Sequence, residues 1–240
     1  MPTHTVALVG ATGGAGTTRL TLECGATLAR AGRDVAVLDA AFATQGVSNY
    51  VEGRLDPDLT AVIAEDADLD DALVDLAVDA PGTLACAPAA APFERLARAK
   101  TAGAVQQLEK HVAAAALSHD AVLVDTPPIA ANQAVAAVNA TERTAIVTPD
   151  TTRGADALAD IRGRIADIGA SIDSVVANFA DGDPVVTDAD VRVPTTDATA
   201  LSALEPDETF APAVARATEA TLDVELSLEF PSGGRLDGLL

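Results

Sequence analysis

The sequence predicts an α/β protein with three layers, in which a doubly wound and mainly parallel sheet carries helices on both faces. Short runs of apolar residues recur along the chain, as expected for parallel strands that are buried on both sides. These runs alternate with segments in which apolar residues repeat at helical spacing. Right-handed connections between such elements place a ligand crevice at the carboxyl ends of the strands.

The first predicted strand covers residues 6–9, and a helix follows from Thr17 or Thr18 to a stop at Gly32. The loop between them contains four glycines, Gly10, Gly13, Gly14 and Gly16. Glycine lets backbone N–H groups turn inward, and a helix N-terminus adds roughly half a positive charge, so this arrangement favours an anion. The spacing approaches that of a phosphate loop, but Thr17 stands where that loop carries lysine.

The other elements follow from the same two patterns. Further strands are predicted over residues 35–38, 84–87, 121–124, 144–147 and 174–177. Apolar spacing predicts two short helices near residues 59–63 and 69–76, a long helix over about 93–117, and a helix with Leu158, Ile161, Ile165 and Ile168 on one face.

The end of the chain has a different pattern. Residues 222–230 alternate apolar and acidic residues with a period of two, which favours an edge strand, and residues 231–240 are expected to be mobile. We therefore assign residues 1–221 to one domain and residues 222–240 to a C-terminal edge strand and tail.

The charge is strongly negative, at −21, from 36 acidic and 15 basic residues, of which only Lys100 and Lys110 are lysines. Aromatic residues make up 2% of the chain. This composition favours a protein of a salt-rich cytoplasm, although an ordinary acidic protein remains the alternative. At about 1 M salt the Debye length is about 3 Å, so the charge would neither destabilise the fold nor attract partners over distance.

Cysteines and histidines give no sign of a metal centre. Cys24 and Cys86 lie in apolar stretches and are expected to be buried reduced thiols, and the three histidines are scattered. The sequence shows no signal peptide and no apolar run of about 18 residues, which favours a cytoplasmic location.

Two predicted strands end in an aspartate, Asp39 and Asp125. The carboxyl ends of parallel strands lie at one edge of a sheet, so both should approach the loop of residues 13–18. The predicted site lies there. Structural roles compete with this interpretation: the glycines could form a tight turn, Thr18 could cap a helix, and the aspartates could cap loops.

Five ordered motifs resemble the MinD/ParA family of phosphate-loop ATPases and together cover about residues 3–215. TGGAGTTRL at 12–20 is similar to the family's KGGVGKTT, and VAVLDAAFATQGVSNYV at 35–51 to its second motif, which contains D-x-D. HDAVLVDTPP at 119–128 is similar to its magnesium-side strand. VVAN at 175–178 and VP at 193–194 resemble the segments that enclose adenine.

The resemblance implies ATP or ADP and Mg²⁺ as ligands. The nucleotide-binding residues that it implies are Gly13, Gly14, Ala15, Gly16, Thr17, Thr18, Arg19, Asn178 and Pro194. The metal-site residues are Thr18, Asp39 and Asp125.

Three departures from the family affect catalysis. The lysine that reaches the partner's nucleotide across a dimer would stand at Thr12, the phosphate-loop lysine at Thr17, and the second aspartate of D-x-D at Ala41. Arg19 is a weak substitute, since it should project from the first helical turn away from the phosphates. No catalytic residue is assigned.

We therefore expect a nucleotide-binding protein with impaired or absent ATP hydrolysis, acting as a scaffold or positioning partner in cell organisation. Two alternatives are a slow ATPase that uses Arg19, potassium or a partner's residue, and an interaction module that binds no nucleotide. A homodimer and an unknown protein partner are compatible with the sequence. The acidic surface disfavours DNA, and the tail, with Arg235 as its one arginine, disfavours an anionic membrane.

Overall fold

A computed structural model describes residues 4–53, 55–201 and 209–230. Its strands are β1 His4–Gly10, β2 Asp34–Asp39, β3 Val74–Asp75, β4 Thr83–Ala87, β5 Ala121–Thr126, β6 Arg143–Pro149, β7 Ser174–Asn178 and β8 Val191–Val193. They form one sheet in the order β3-β4-β2-β5-β1-β6-β7-β8. All neighbours pair in parallel except β3 and β4, which are antiparallel. The predicted mainly parallel sheet is confirmed.

The helices are α1 Thr17–Arg30, α2 Leu59–Glu65, α3 Leu69–Ala72, α4 Phe93–Ala99, α5 Ala102–Ser118, α6 Asn132–Ala140, α7 Thr152–Asp167 and α8 Phe210–Leu222, with a 3₁₀ turn at Val47–Asn49. Two apolar clusters flank the sheet. One joins α1 and α8 through residues such as Leu22 and Val214. The other joins helices α2 to α7 through residues such as Leu108 and Ile161. Helices therefore cover both faces, as predicted.

The central strands are buried along almost their whole length, which explains their unbroken apolar sequences. Cys24 and Cys86 are free and buried, as expected, and burial raises the pKa of each thiol to about 12. Both thiols therefore stay protonated at neutral pH, and the protonated form is not the nucleophile.

The prediction of one long helix over 93–117 is wrong, because two helices occupy this stretch. Thr101 has an extended backbone, with φ −70° and ψ 154°, and its hydroxyl accepts a hydrogen bond from the Ala104 N–H as the N-cap of α5. A threonine followed by alanine and glycine thus ends one helix and begins the next.

The second short helix ends at Ala72, not near Leu76. Val74 and Asp75 instead pair with Cys86 and Ala85 of β4 and form the edge of the sheet. The apolar spacing of Leu73 and Leu76 was compatible with a helix, but pairing with β4 determines the backbone here.

The predicted edge strand over 222–230 is also wrong. Leu222 is the last residue of α8, Asp223 takes a left-handed conformation with φ 56°, and residues 224–230 pair with no strand in the described part of the chain. The Leu226 N–H donates to the Glu219 carboxylate instead, which ties the segment to α8. The mobile tail predicted for residues 231–240 lies outside the described residues.

In the described part of the chain, no helix combines the length and the apolar character that crossing a membrane would require.

Candidate functional site

The glycine loop turns from β1 into α1 at the carboxyl edge of the sheet. Gly14 and Gly16 have φ values of 78° and 79°, in the region that side chains other than glycine rarely adopt. A Cβ atom at Gly16 would also collide with the Asn178 amide. The N-terminus of α1 has no side-chain cap among the described residues, so its first N–H groups are not used by a local side chain. The loop thus has the geometry of an anion cradle.

A cleft of about 230 Å³, here called the glycine-loop cleft, opens above this loop. Its lining consists of Gly10, Thr12, Gly13, Gly14, Ala15, Gly16, Thr17, Thr18, Ala41, Thr44, Asp125, Thr126, Pro127 and Pro128. None of these residues is a lysine, arginine or histidine, and Asp125 is the one charged side chain among them. The cleft therefore offers main-chain amides and oxygen atoms to a ligand.

Two aspartates lie side by side beneath the cleft. Asp39 and Asp125 are register partners on β2 and β5 and are 0% and 1% exposed. Burial raises the pKa of both carboxyls above the usual 3.8, and repulsion by Asp125 adds to the effect on Asp39. The N–H groups of Ala89, Ala41 and Val47 donate to Asp39 and partly oppose its shift.

Thr18 joins the loop to this pair. Its hydroxyl donates a hydrogen bond of 2.6 Å to the Asp125 carboxylate. Gly46 lies directly against Thr18, where an added Cβ atom would be 2.7 Å from the Thr18 hydroxyl oxygen. The predicted convergence of Thr18, Asp39 and Asp125 therefore occurs, and hydroxyl and carboxylate oxygens are brought together.

A second, smaller pocket lies beside the loop, and we call it the side pocket. It has a volume of about 90 Å³ and is lined by Arg19, Leu20, Asn178, Phe179, Pro194, Thr196 and Phe210. Asn178 links it to the glycine loop, because its side-chain amide donates to the Ala15 carbonyl oxygen at 3.0 Å. Asn178 and Pro194, both predicted from the sequence, are thus brought to one pocket.

Arg19 does not enter the glycine-loop cleft. Its guanidinium group pairs with the buried Glu23 at 2.6 Å and donates to the carbonyl oxygens of residues 198–200. It belongs to the side pocket, so it does not occupy the place of the missing loop lysine.

Sequence reasoning missed several residues of the two pockets. Thr44 and Pro127 line the cleft, and Phe179 lines the side pocket with 43% of its surface exposed and a left-handed φ of 58°. An aromatic residue in such a backbone is unusual. Its position directly after the Asn178 motif was the one available signal. A larger groove of about 690 Å³, bordered by Tyr50, Val78 and Leu201, contains none of the predicted site residues.

Solved structures share the fold of this chain along nearly their whole length. One of them is the septum site-determining protein MinD of Pyrococcus horikoshii OT3, complexed with Mg-ADP. Its TM-score is 0.75 at 18% identity, and the match covers 90% of this chain and 95% of the MinD chain. The chain has the fold of MinD and ParA ATPases. A ParA family ATPase from Chlorobium tepidum TLS has a TM-score of 0.73 at 15% identity, covering 90% of this chain and 98% of its own.

A chain of the MinC:MinD cell division protein complex of Aquifex aeolicus has a TM-score of 0.74 at 18% identity, with 94% of this chain and 98% of that chain covered. No family model matches the sequence, and no curated protein does. Within the MinD/ParA fold of this chain, Thr12, Thr17 and Ala41 all line the glycine-loop cleft. The three departures noted in the sequence therefore fall in one place.

Proposed function

We propose that this chain binds ATP or ADP together with Mg²⁺, has ATP hydrolysis so impaired that turnover does not exceed background, and acts as a scaffold or positioning partner in cell organisation. The MinD of P. horikoshii, which has this fold, is complexed with Mg-ADP. One observation carries the proposal: the glycine-loop cleft keeps its backbone cradle, but none of its described lining residues carries a positive charge.

The cradle supports binding of the phosphates. The Ala15 N–H donates to the Thr12 carbonyl oxygen at 3.3 Å. The other backbone N–H groups of residues 13–18, at the N-terminus of α1, favour an anion without any lysine. The side pocket, with Asn178 and Pro194, is the place for the base, because it adjoins the loop through the hydrogen bond from Asn178 to Ala15.

The oxygen atoms of Thr18, Asp39 and Asp125 suit Mg²⁺, which prefers hard oxygen ligands. The described residues contain no group of three or more His, Cys, Asp or Glu residues able to hold a metal. Mg²⁺ usually binds through one or two carboxylates plus phosphate oxygens and water, which is the donor set available here. Bound Mg²⁺ would supply positive charge to the phosphates.

Hydrolysis lacks the groups that it needs. A cation about 4 Å from a phosphate oxygen contributes roughly 4 kcal/mol at an effective dielectric constant of 20. Loss of one such element typically lowers a rate about 10²–10³-fold. Phosphoryl transfer depends on charge neutralisation and positioning, so threonines at 12 and 17 and an alanine at 41 should leave little turnover.

The binding half of the proposal is tested by calorimetric titration with Mg-ATP and Mg-ADP in molar KCl. Wild type is expected to bind both. Gly16→Ala should abolish binding, because its Cβ atom would collide with Asn178. Gly169→Ala is the matched control: Gly169 also has a left-handed φ, of 76°, but lies in open space far along the chain, so this variant should still bind. Absence of binding by wild type would favour the interaction module.

The catalytic half is tested on the same samples by phosphate release. Wild type should show no turnover above background, and the combined variant Thr12→Lys, Thr17→Lys, Ala41→Asp should gain on the order of 10²-fold or more. Wild-type turnover that Asp125→Ala abolishes would contradict the proposal and support the slow ATPase, with potassium or a partner supplying the missing charge.

A scaffold needs a partner, and both a second copy of this chain and another protein fit that role.

A further inference from the structure

We infer that Arg19 is a positioning residue that holds the outer wall of the side pocket against the first turn of α1, and thereby sets the affinity for the nucleoside part of the ligand. This inference rests on the proposed function. It names a role for a side chain that contacts neither the glycine-loop cleft nor its aspartates.

Arg19 binds three consecutive carbonyl groups. One terminal nitrogen donates to the carbonyl oxygens of Ala198 at 3.0 Å and Thr199 at 3.3 Å, and the other donates to that of Ala200. Guanidinium presents five N–H donors in a rigid fork, so one side chain can hold several acceptors in a fixed arrangement. An ammonium group has no such planar fork.

The guanidinium group is itself held from two sides. Its Nε donates to the Glu23 carboxylate at 2.7 Å, and Glu23 is fully buried in α1. The Tyr50 ring lies 5.9 Å from the guanidinium carbon, within the range of a cation–π contact. Arg19 is therefore fixed to the helix, and the segment it binds is fixed through it.

The segment that Arg19 holds has little structure of its own. Residues 194–201 form no helix or strand, although Pro194 and Thr196 line the side pocket. The Ala198 N–H donates to the Thr196 hydroxyl, which joins the residues bound by Arg19 to the residues that line the pocket. The wall is also held at Thr195, whose N–H and hydroxyl donate to the Asp181 carboxylate. Loss of the fork would therefore release residues 198–200 from α1 and loosen the wall without detaching it.

The same helical turn also carries the phosphate side of the site. Thr18, which bonds to Asp125, directly precedes Arg19. One turn of α1 thus fixes the base wall relative to the cradle, and this arrangement predicts that loss of Arg19 affects the two halves of a nucleotide unequally.

The test compares two ligands on the full chain: Mg-ATP, and inorganic tripolyphosphate with Mg²⁺, which lacks the nucleoside. Arg19→Lys keeps a positive charge beside Glu23 but loses the fork. We expect its affinity for Mg-ATP to fall about tenfold, the effect of one to two lost hydrogen bonds, while its affinity for tripolyphosphate stays within about twofold of wild type.

Arg30→Lys is the matched control. Arg30 also lies on α1 and also binds a distant segment, through the Glu229 carbonyl oxygen and the Phe230 ring, but it is far from both pockets. It should leave both affinities unchanged. Equal loss of both ligands in Arg19→Lys, or no loss of either, would overturn the inference. Failure of wild type to bind either ligand would instead overturn the proposed function, and the inference with it.

Discussion

Asp39 and Asp125 lower the stability of the folded protein when no ligand is bound. Both carboxyls are buried on neighbouring strands, and burial raises both pKa values above the usual 3.8. A carboxyl with a higher pKa in the folded than in the unfolded state binds its proton more tightly when folded. Raising the pH above about 4 therefore removes stability progressively as these groups ionise.

Replacing Asp125 with asparagine should relieve this cost. Asparagine keeps the shape and an oxygen that accepts from the Thr18 hydroxyl, whereas Asp39 receives three backbone N–H groups and tolerates no amide. We expect Asp125→Asn to melt several degrees above wild type at pH 8, since about 1 kcal/mol corresponds to roughly 2–4 °C at this chain length, with the gap closing towards pH 4. Melting curves without nucleotide at several pH values measure this.

The same variant should bind Mg-ATP more weakly, because a carboxylate ligand is lost. Higher stability with weaker binding would identify the pair as a functional site. Equal melting temperatures of wild type and Asp125→Asn at all pH values would show that ionisation of the two carboxyls costs the fold no stability. That result would contradict the expected pH dependence.

At the scale of secondary-structure elements, Asp58 connects helix α2, the loop after β4 and helix α4. It is fully buried at the N-cap of α2. Its carboxylate accepts hydrogen bonds from the Ala61 N–H and from the Ala90 N–H in the loop after β4. It also forms an ion pair with Arg95 of α4 at 3.2 Å. The neighbouring Ala89 N–H donates to Asp39, so this connection reaches the site.

Asp58→Ala should lower the free energy of unfolding by about 2–4 kcal/mol, because it removes a helix cap and leaves the Ala90 N–H without its acceptor. Arg95 would keep its ion pair with Glu65 at 3.4 Å. Asp68→Ala is the control: Asp68 is an exposed N-cap on α3, accepting from the Asp70 N–H, and its loss should cost about 1 kcal/mol or less. Denaturant unfolding in molar KCl gives both values. Similar losses for the two variants would mean that Asp58 acts as a cap alone.

Elements also differ in how far sequence alone predicts them. Strands β1, β2 and β5 are buried on both faces, so their apolar runs identify them directly. Strands β3 and β8 have two and three residues, and no periodicity can be recognised in so few. The predicted C-terminal strand failed for another reason: residues 224–230 do alternate between half-buried and exposed, but they pack against the core without a neighbouring strand.

The site divides in the same way. The glycine spacing and the strand-end aspartates were predictable because local sequence determines which edge of the sheet they reach. The direction of Arg19, away from the phosphates, was predicted from its place in the first helical turn. Its hydrogen-bond acceptors were not, because they lie about 180 positions later in the chain. Phe179 was missed because an isolated aromatic residue after a strand has no periodic pattern.

At the scale of the whole molecule, the net negative charge makes folding stability depend on salt. The chain carries a net charge of −21, and carboxylates cluster in places such as residues 65–71, where five of seven residues are acidic and exposed. Such density destabilises a compact state through repulsion unless salt screens it. The Debye length falls from about 10 Å at 0.1 M salt to about 3 Å at 1 M, so screening becomes effective over the distance between neighbouring surface charges.

We therefore expect the melting temperature to rise by several degrees between 0.1 M and 2 M KCl, with most of the gain below about 1 M. The variant Asp66→Asn, Asp79→Asn, Glu109→Gln neutralises three exposed carboxylates and should melt higher than wild type at 0.1 M but equally at 2 M, because repulsion matters only where it is unscreened. Equimolar NaCl should act like KCl if screening is the cause. A melting temperature independent of salt, or a variant that gains equally at both concentrations, would contradict adaptation of this acidic surface to a salt-rich environment.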